Sequence, residues 1–263
     1  MEQRTAVLGG GVMGGTLVAS IVASGNQNVV VIEKNAERAA ELARDYGVEV
    51  GTELGLIAGA QQILLAVKPQ DMPGLLSQIA PHVGPSAIVI SLAAGVTTET
   101  IEGVLGSEAA VVRVMPNTPA IVGEGMFGVS AGTSVSAAQL DQVVNLLAHG
   151  GKVEVIDEPL QNALTSVSGS GPAYVFYLAE NMIEAGVAEG LDREVARSLT
   201  AQTLVGAAKL LAESPEEPAE LRRRVTSPNG ATFAATQVFD EAGVDEALIR
   251  GIRAAAHRSA ELG

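Results

Sequence analysis

Cysteine and tryptophan are both absent from the 263 residues, and histidine occurs only at positions 82, 149 and 257. Without cysteine there is no disulfide, no thiolate nucleophile, no iron–sulfur cluster and none of the usual structural zinc sites. Three scattered histidines do not make a histidine-rich metal site, so no metal is expected. Basic residues are also scarce: 16 Lys and Arg stand against 30 Asp and Glu, for a formal charge of −14. Such a field repels nucleic acid and anionic membranes, and neither is expected as a partner. No stretch approaches twenty apolar residues without glycine, proline or charge, so no membrane span is expected. The opening MEQRTAVLGGG lacks a secretory pattern, because its apolar run leads directly into glycines. What the composition does supply is 47% hydrophobic residues with 17% charged, which suits a packed core rather than disorder. The expectation is an acidic, soluble, cytoplasmic globular protein.

Short, predominantly apolar runs recur through the first part of the chain, at Thr5–Leu8, Val29–Ile32, Ile63–Val67, Ala87–Leu92 and Ala110–Met115. Helical patterns lie between them, at Gly14–Ser24, Ala36–Tyr46, Asp71–Ala80 and Thr98–Leu105. A weaker tail adds strand-like Met126–Ser130, helical Ser136–Ala148 and strand-like Lys152–Ile156. Continuous apolar strands alternating with helices predict a doubly wound α/β domain with a mostly parallel sheet. After about Glu158 the strand signal stops. Pro172–Glu189, Arg193–Glu213, Ala231–Ala242 and Val244–Glu261 read as helices, and Glu213–Pro218 as a polar junction. The predicted division is therefore residues 1–157 and an all-helical 158–263. The long helices carry more apolar surface than so short a segment can bury alone, which points to a homodimer; a helical cap on the α/β domain is the alternative.

The first strand runs into Gly9-Gly10-Gly11-Val12-Met13-Gly14, a G-x-G-x-x-G that opens a helix. A second strand returns at Val29 and ends on an acid, Glu33, close to the spacing of the dinucleotide fingerprint. Gly9 permits the tight turn, Gly11 lets backbone approach a pyrophosphate, and Gly14 allows close helix–strand packing. The helix N-terminus adds free N–H groups and partial positive charge. Glu33 would accept from a ribose 2′-hydroxyl and favour NAD(H). Lys34, Asn35 and Arg38 could instead hold the 2′-phosphate of NADP(H) if Glu33 turns away. The sequence pattern leaves both open.

The usual proton donors of hydride-transfer enzymes, a His or a Lys–Asn pair, are missing from the helical half. Of four lysines only Lys209 lies on a long helix there, and its i+4 neighbour is Glu213. A substrate that is already a protonated imine needs no such acid. Two polar segments interrupt the helices: Ser168-Gly169-Ser170-Gly171-Pro172 and Thr226-Ser227-Pro228-Asn229-Gly230-Ala231-Thr232. Each is expected to open a helix, either as an ordinary Ser/Thr cap or as a carboxylate site made of unpaired N–H groups.

With these segments in view, the chain closely resembles the Δ1-pyrroline-5-carboxylate reductases along its whole length. The resemblance is carried by GGGVMGG, LLAVKPQ at Leu64–Gln70, SLAAGV at Ser91–Val96 and RVMPNTPA at Arg113–Ala120. It continues through SGSGPAYVF at Ser168–Phe176 and LRRRVTSPNGATFAATQVF at Leu221–Phe239. The resemblance implies an N-terminal Rossmann domain, an all-helical dimerisation domain, dimers that in many members form decamers, and NADPH- or NADH-dependent reduction of the cyclic imine to proline. It implies a cofactor set of Gly9, Gly10, Gly11, Val12, Met13, Gly14, Glu33, Lys34, Asn35, Ala66, Val67, Lys68, Pro69, Ala93, Ala94, Gly95 and Asn117. It implies a substrate-side set of Ser227, Asn229, Gly230, Ala231 and Thr232, with Ser170 and Glu158 near the site. Within it, the amides of Gly230, Ala231 and Thr232 would bind the substrate carboxylate, and the Thr232 hydroxyl would face the ring nitrogen. Three positions depart from the family pattern: Asn229 replaces the first of two glycines, Glu53 an Asn, and Glu33 the neutral residue of many NADPH-preferring members. Rival readings are a related imine or hydroxy-acid reductase, a non-catalytic NADP(H) sensor, and a structural helical oligomer.

Overall fold

A computed structural model describes residues 3–261. The chain divides into two compact units, one of residues 1–170 with 255–263 and one of residues 171–254.

The first unit is built on a sheet of β1 (Thr5–Leu8), β2 (Val29–Ile32), β3 (Glu49–Gly51), β4 (Gln62–Leu65), β5 (Ile88–Ser91), β6 (Ala110–Met115), β7 (Gly125–Ala131) and β8 (Gly151–Val155). The order is β3-β2-β1-β4-β5-β6-β7-β8; β3 to β6 are parallel, β7 runs antiparallel to β6, and β8 parallel to β7. Its helices are α1 (Val12–Ala23), α2 (Ala36–Tyr46), α3 (Met72–Ile79), α4 (Thr98–Leu105), α5 (Ala137–Leu147) and the short α6 (Gln161–Leu164). Side chains alternate across a strand, so β1 sends Val7 to one face and Ala6 and Leu8 to the other. On the Val7 face, Leu17, Val18 and Ile21 of α1 join Leu42 of α2 and Val143 and Leu147 of α5. On the opposite face lie Met72, Leu76 and Ile79 of α3 and Ile101 of α4. Burial on both faces is why the central strands are mostly apolar rather than alternating. This is the doubly wound α/β arrangement expected, and strand order reverses between β1 and β4.

The second unit holds α7 (Gly171–Ala188), α8 (Arg193–Glu213), α9 (Pro218–Arg224), α10 (Ala231–Glu241) and the start of α11 (Val244–Glu261). Helices α7 and α8 pack together. A Cβ on Gly186 would already lie 3.2 Å from Leu191 and 3.3 Å from Ala196, so a glycine there sets how closely they approach. Large apolar side chains nevertheless stay exposed, with Phe176 at 67% and Tyr177 at 69%.

Several boundaries differ from the sequence expectation. β3 was not anticipated, since three residues at a sheet edge leave no periodic signal. β4 stops at Leu65 rather than Val67; the Ala66 N–H still donates to the Leu8 carbonyl at 2.8 Å, after which the chain turns into a 3₁₀ turn at Pro69–Asp71. α1 begins at Val12, not Gly14, because Gly11 is its N-cap. The polar junction leads into α9, a helix that the sequence reading missed, with Pro218 in its first turn, where proline is accommodated. Arg223 clasps Glu220 with two 2.7 Å hydrogen bonds there and holds its carboxyl down at about 2.

Candidate active site

In an open parallel sheet, ligands bind outside the C-terminal strand ends where the order reverses. Here that place lies between β1 and β4, and the glycine turn follows β1 directly. Gly9 has φ = 99°, and a Cβ on it would sit 2.5 Å from the Ala66 carbonyl oxygen. A Cβ on Gly14 would lie 1.9 Å from the Gly9 carbonyl oxygen. A Cβ on Gly11 meets nothing within 4 Å, so its missing side chain leaves open space above the first turn of α1. Gly9 and Gly14 therefore serve the packing, and Gly11 serves an incoming group. The N–H groups of that first turn have no intrahelical acceptor, and Gly11 offers no side chain to cap them. Glycine space and free amides together fit a pyrophosphate.

Glu33 closes the turn from β2. Its Oε2 accepts the Gly10 N–H at 2.7 Å and its Oε1 accepts the Asn35 N–H at 2.7 Å. Arg38 takes the next peptide group, its Nε donating to the Gly10 carbonyl at 2.7 Å while Nη1 reaches Glu41 at 2.8 Å. Asn35 is the N-cap of α2, accepting from the Arg38 N–H at 3.0 Å.

The predicted cofactor residues gather along the strand ends. A cavity of about 600 Å³ is lined by Gly9, Glu33, Lys34 and Val67 among others, and another of about 600 Å³ by Pro69, Ala94 and Gly95. Gly11, Val12 and Asn35 border a groove of about 890 Å³ that runs along α1. Lys68 is exposed beside these loops. Asn117 is otherwise engaged: its Oδ1 accepts the Met126 N–H at 2.9 Å, and its Nδ2 donates to the Ser168 carbonyl at 3.2 Å and hydroxyl at 3.3 Å.

Glu158 also has its carboxylate committed. Oε1 accepts the Thr98 N–H at 2.9 Å and Arg113 Nη1 at 3.2 Å, while Oε2 accepts the Thr98 hydroxyl at 2.6 Å. The carboxylate thus caps α4, the helix that follows the Ala93–Gly95 loop. Neither Thr98 nor Arg113 was singled out from the sequence as a candidate. A signal existed for Arg113, the one charge in an otherwise apolar strand AVVRVM, since a buried charge requires a partner.

Both polar segments open helices. Ser168–Pro172 leads into α7 as expected, the helix beginning at Gly171 with Pro172 in its first turn. What was not expected is the π-helical turn Thr165–Gly169 just before it; Ser170 lies between that turn and α7 and donates its N–H to the Thr165 carbonyl at 2.8 Å. The Ser170 N–H is thereby taken, and Pro172 carries none. The second segment also opens a helix, α10. Asn229 takes φ = 58°, a left-handed conformation that asparagine tolerates, and Gly230 is the N-cap of α10. A Cβ on Gly230 would come within 2.4 Å of the Ser227 hydroxyl. The Gly230 N–H donates to the Ser227 carbonyl at 3.0 Å, so the three expected amide donors reduce to two, Ala231 and Thr232.

Comparison with known proteins agrees with this fold. Residues 158–262 match the family model for pyrroline-5-carboxylate reductase dimerisation, and residues 4–95 that for NADP oxidoreductase, coenzyme F420-dependent. A pyrroline-5-carboxylate reductase of Pseudomonas aeruginosa is 41% identical, over 98% of this chain and 96% of its own. The solved pyrroline-5-carboxylate reductase of Coxiella burnetii superposes with a TM-score of 0.93 at 32% identity, over 100% of this chain and 99% of its own. A Plasmodium falciparum pyrroline carboxylate reductase with NADP bound gives 0.89 at 28% identity, again over 100% and 99%. Full-length identity above 30% shows the relationship: this chain belongs to the pyrroline-5-carboxylate reductase family.

Proposed function

We propose that this chain reduces L-1-pyrroline-5-carboxylate to L-proline, the last step of proline biosynthesis, with NADPH or NADH. The observation that carries the reading is the glycine turn at the strand-order reversal in a chain related to these reductases from end to end. When bound, the reduced nicotinamide supplies a hydride to the imine carbon. Residues 1–157 hold the nucleotide, and residues 158–263 supply the substrate loop and the dimer surface. Gly9, Gly10, Gly11, Val12, Met13 and Gly14 would hold the pyrophosphate, and Glu33, Lys34 and Asn35 the adenosine ribose. Ala66 to Pro69 and Ala93 to Gly95 would line the path to the nicotinamide.

On the substrate side, the Ala231 and Thr232 amides at the positive end of α10 would bind the carboxylate. Ser227, Asn229 and Gly230 shape that turn, and the Thr232 hydroxyl would orient the ring at its nitrogen. Because the substrate nitrogen is already protonated, the site needs no strong acid, and orientation supplies much of the rate. Asn117, Ser170 and Glu158 act on this reading by fixing the loops around the site. The exposed apolar helices of residues 171–254 would join two copies into a homodimer, and five such dimers into the decamer that the family resemblance implies. Among the described residues no helix is long and apolar enough to cross a membrane; a cytoplasmic enzyme is the proposal.

The test is initial-rate oxidation of NADPH, and separately of NADH, followed by absorbance with pyrroline-5-carboxylate as substrate. Turnover with either cofactor and formation of proline establish the activity. Absence of turnover despite measurable nucleotide binding overturns it in favour of a nucleotide sensor.

A further inference from the structure

We propose that Glu33 makes the nucleotide site of this chain selective for NADH over NADPH, with Arg38 as the residue that holds the turn beneath it. The inference rests on the reductase reading above only in taking a nicotinamide dinucleotide as the ligand. An acid at the end of β2 selects against a 2′-phosphate only if it stays where that phosphate would go. An acid on a flexible side chain can swing aside and let neighbouring cations take the phosphate.

Here the carboxylate is held in place. Each oxygen receives a backbone N–H at 2.7 Å, one from Gly10 in the glycine turn and one from Asn35 at the start of α2. Bonds of that length to a carboxylate are charge-assisted, and both donors belong to backbone that the fold itself fixes. A carboxylate oxygen accepts more than one hydrogen bond, so a lone pair on each remains for the 2′- and 3′-hydroxyls of an unphosphorylated ribose. A 2′-phosphate offers acceptors and negative charge to the same two oxygens.

The cation that could compensate is committed elsewhere. Arg38 donates Nε to the Gly10 carbonyl and Nη1 to Glu41, and its Nη2 lies 2.2 Å from where a Cβ on Gly15 would be. The two peptide groups that flank the Gly10 Cα are therefore both gripped, the Gly10 N–H by Glu33 and the Gly10 carbonyl by Arg38. Swinging either side chain toward a phosphate would release the turn that binds the pyrophosphate. The neighbouring cavity is lined by two acids, Glu33 and Asp71, against one base, the exposed Lys34. A phosphate entering it meets excess negative charge.

The test measures binding without turnover. Dissociation constants for NADH and NADPH are determined by calorimetry with the intact protein, and repeated with ADP-ribose and 2′-phospho-ADP-ribose, which carry no reactive ring. The wild-type protein is expected to bind NADH at least about tenfold more tightly than NADPH, the scale of like-charge repulsion across a few ångströms. Glu33→Gln is expected to cut that ratio by about tenfold or more. Arg38→Met is expected to weaken both nucleotides by a similar factor, as loss of a positioning residue should. Equal or tighter wild-type binding of NADPH overturns the proposal, as does an unchanged ratio in Glu33→Gln. A loss confined to NADPH in Arg38→Met overturns it too, by making Arg38 a phosphate ligand. If Glu33→Gln does not fold, the wild-type ratio still decides. Failure of a folded wild-type protein to bind either nucleotide overturns the reductase reading itself, a different result from equal binding of both.

Discussion

Glu158 caps helix α4 from 60 residues downstream, its carboxylate receiving the Thr98 N–H at 2.9 Å and the Thr98 hydroxyl at 2.6 Å. Arg113, with its side chain 8% exposed, adds a third donor from β6. This arrangement ties the segment entering α6 to the helix behind the Ala93–Gly95 loop. Breaking it should therefore be felt in stability first and in nucleotide binding second.

Glu158→Gln is expected to destabilise the protein by about 1–3 kcal/mol, because it leaves a nearly buried guanidinium without its counter-charge. Arg113→Met alone should cost a similar amount. The double variant should lose clearly less than the sum, since neither charge is then stranded. Urea unfolding of the four proteins measures the coupling. Additive losses would show that the pair does not interact in solution.

Two glycines of the same turn should separate folding from binding. Gly14→Ala places a methyl 1.9 Å from the Gly9 carbonyl oxygen and should lower the melting temperature or prevent folding. Gly11→Ala meets no protein atom within 4 Å and should fold normally. It should nevertheless bind NADH and NADPH about tenfold or more weakly, because the methyl fills the space left for the pyrophosphate. Melting curves alongside calorimetric titration test both. An equal loss of stability in the two variants would contradict this division of roles.

How much of this was legible in the sequence depends on how local the determinant is. Thr5–Leu8, Val29–Ile32 and Ala110–Met115 match the observed strands residue for residue, because a strand buried on both faces is apolar at nearly every position rather than at alternate ones. β3, at the sheet edge, has no such run. The Ser168–Pro172 stretch marked the start of α7 correctly, but the π-helical turn at Thr165–Gly169 before it has no composition that announces it. The glycine turn was legible together with its acid, but not what Glu33 bonds to, since that depends on how the Gly10 and Asn35 amides are oriented. Arg38 shows the same limit. Its position suggested a phosphate ligand, and only the folded turn shows it on the Gly10 carbonyl. Thr98 and Glu158 are joined by tertiary structure alone, and no spacing rule reaches across that separation.

The Thr232 hydroxyl offers a cleaner test of the substrate reading than its backbone does. Thr232→Ala retains the α10 amide donors and removes only the group assigned to the ring nitrogen. Loss of one hydrogen bond to a cationic group should lower kcat/KM for pyrroline-5-carboxylate by about 10- to 100-fold. The dissociation constant of NADH or NADPH should stay within about twofold, since the nucleotide makes no use of that hydroxyl on this reading. Parallel losses in both quantities would remove Thr232 from the substrate site.

Phe176 and Tyr177 on α7 stand 67% and 69% exposed in a single copy of the chain, and Phe239 on α10 is exposed as well. So many bare aromatic and aliphatic side chains on a unit with so few buried residues identify the surface expected to close the homodimer. Burying one phenylalanine contributes about 1.5–3 kcal/mol, and two-fold symmetry buries it twice. Phe176→Glu removes that gain from both sides and adds a charge to desolvate. The dimer dissociation constant should rise by about 10²-fold or more. The variant should keep its helical content, because Phe176 supports little within its own chain, and should elute as a monomer at micromolar concentration. Light scattering coupled to size exclusion, with circular dichroism as the folding control, reads both quantities. An unchanged dimer would place the self-association surface elsewhere on the helices.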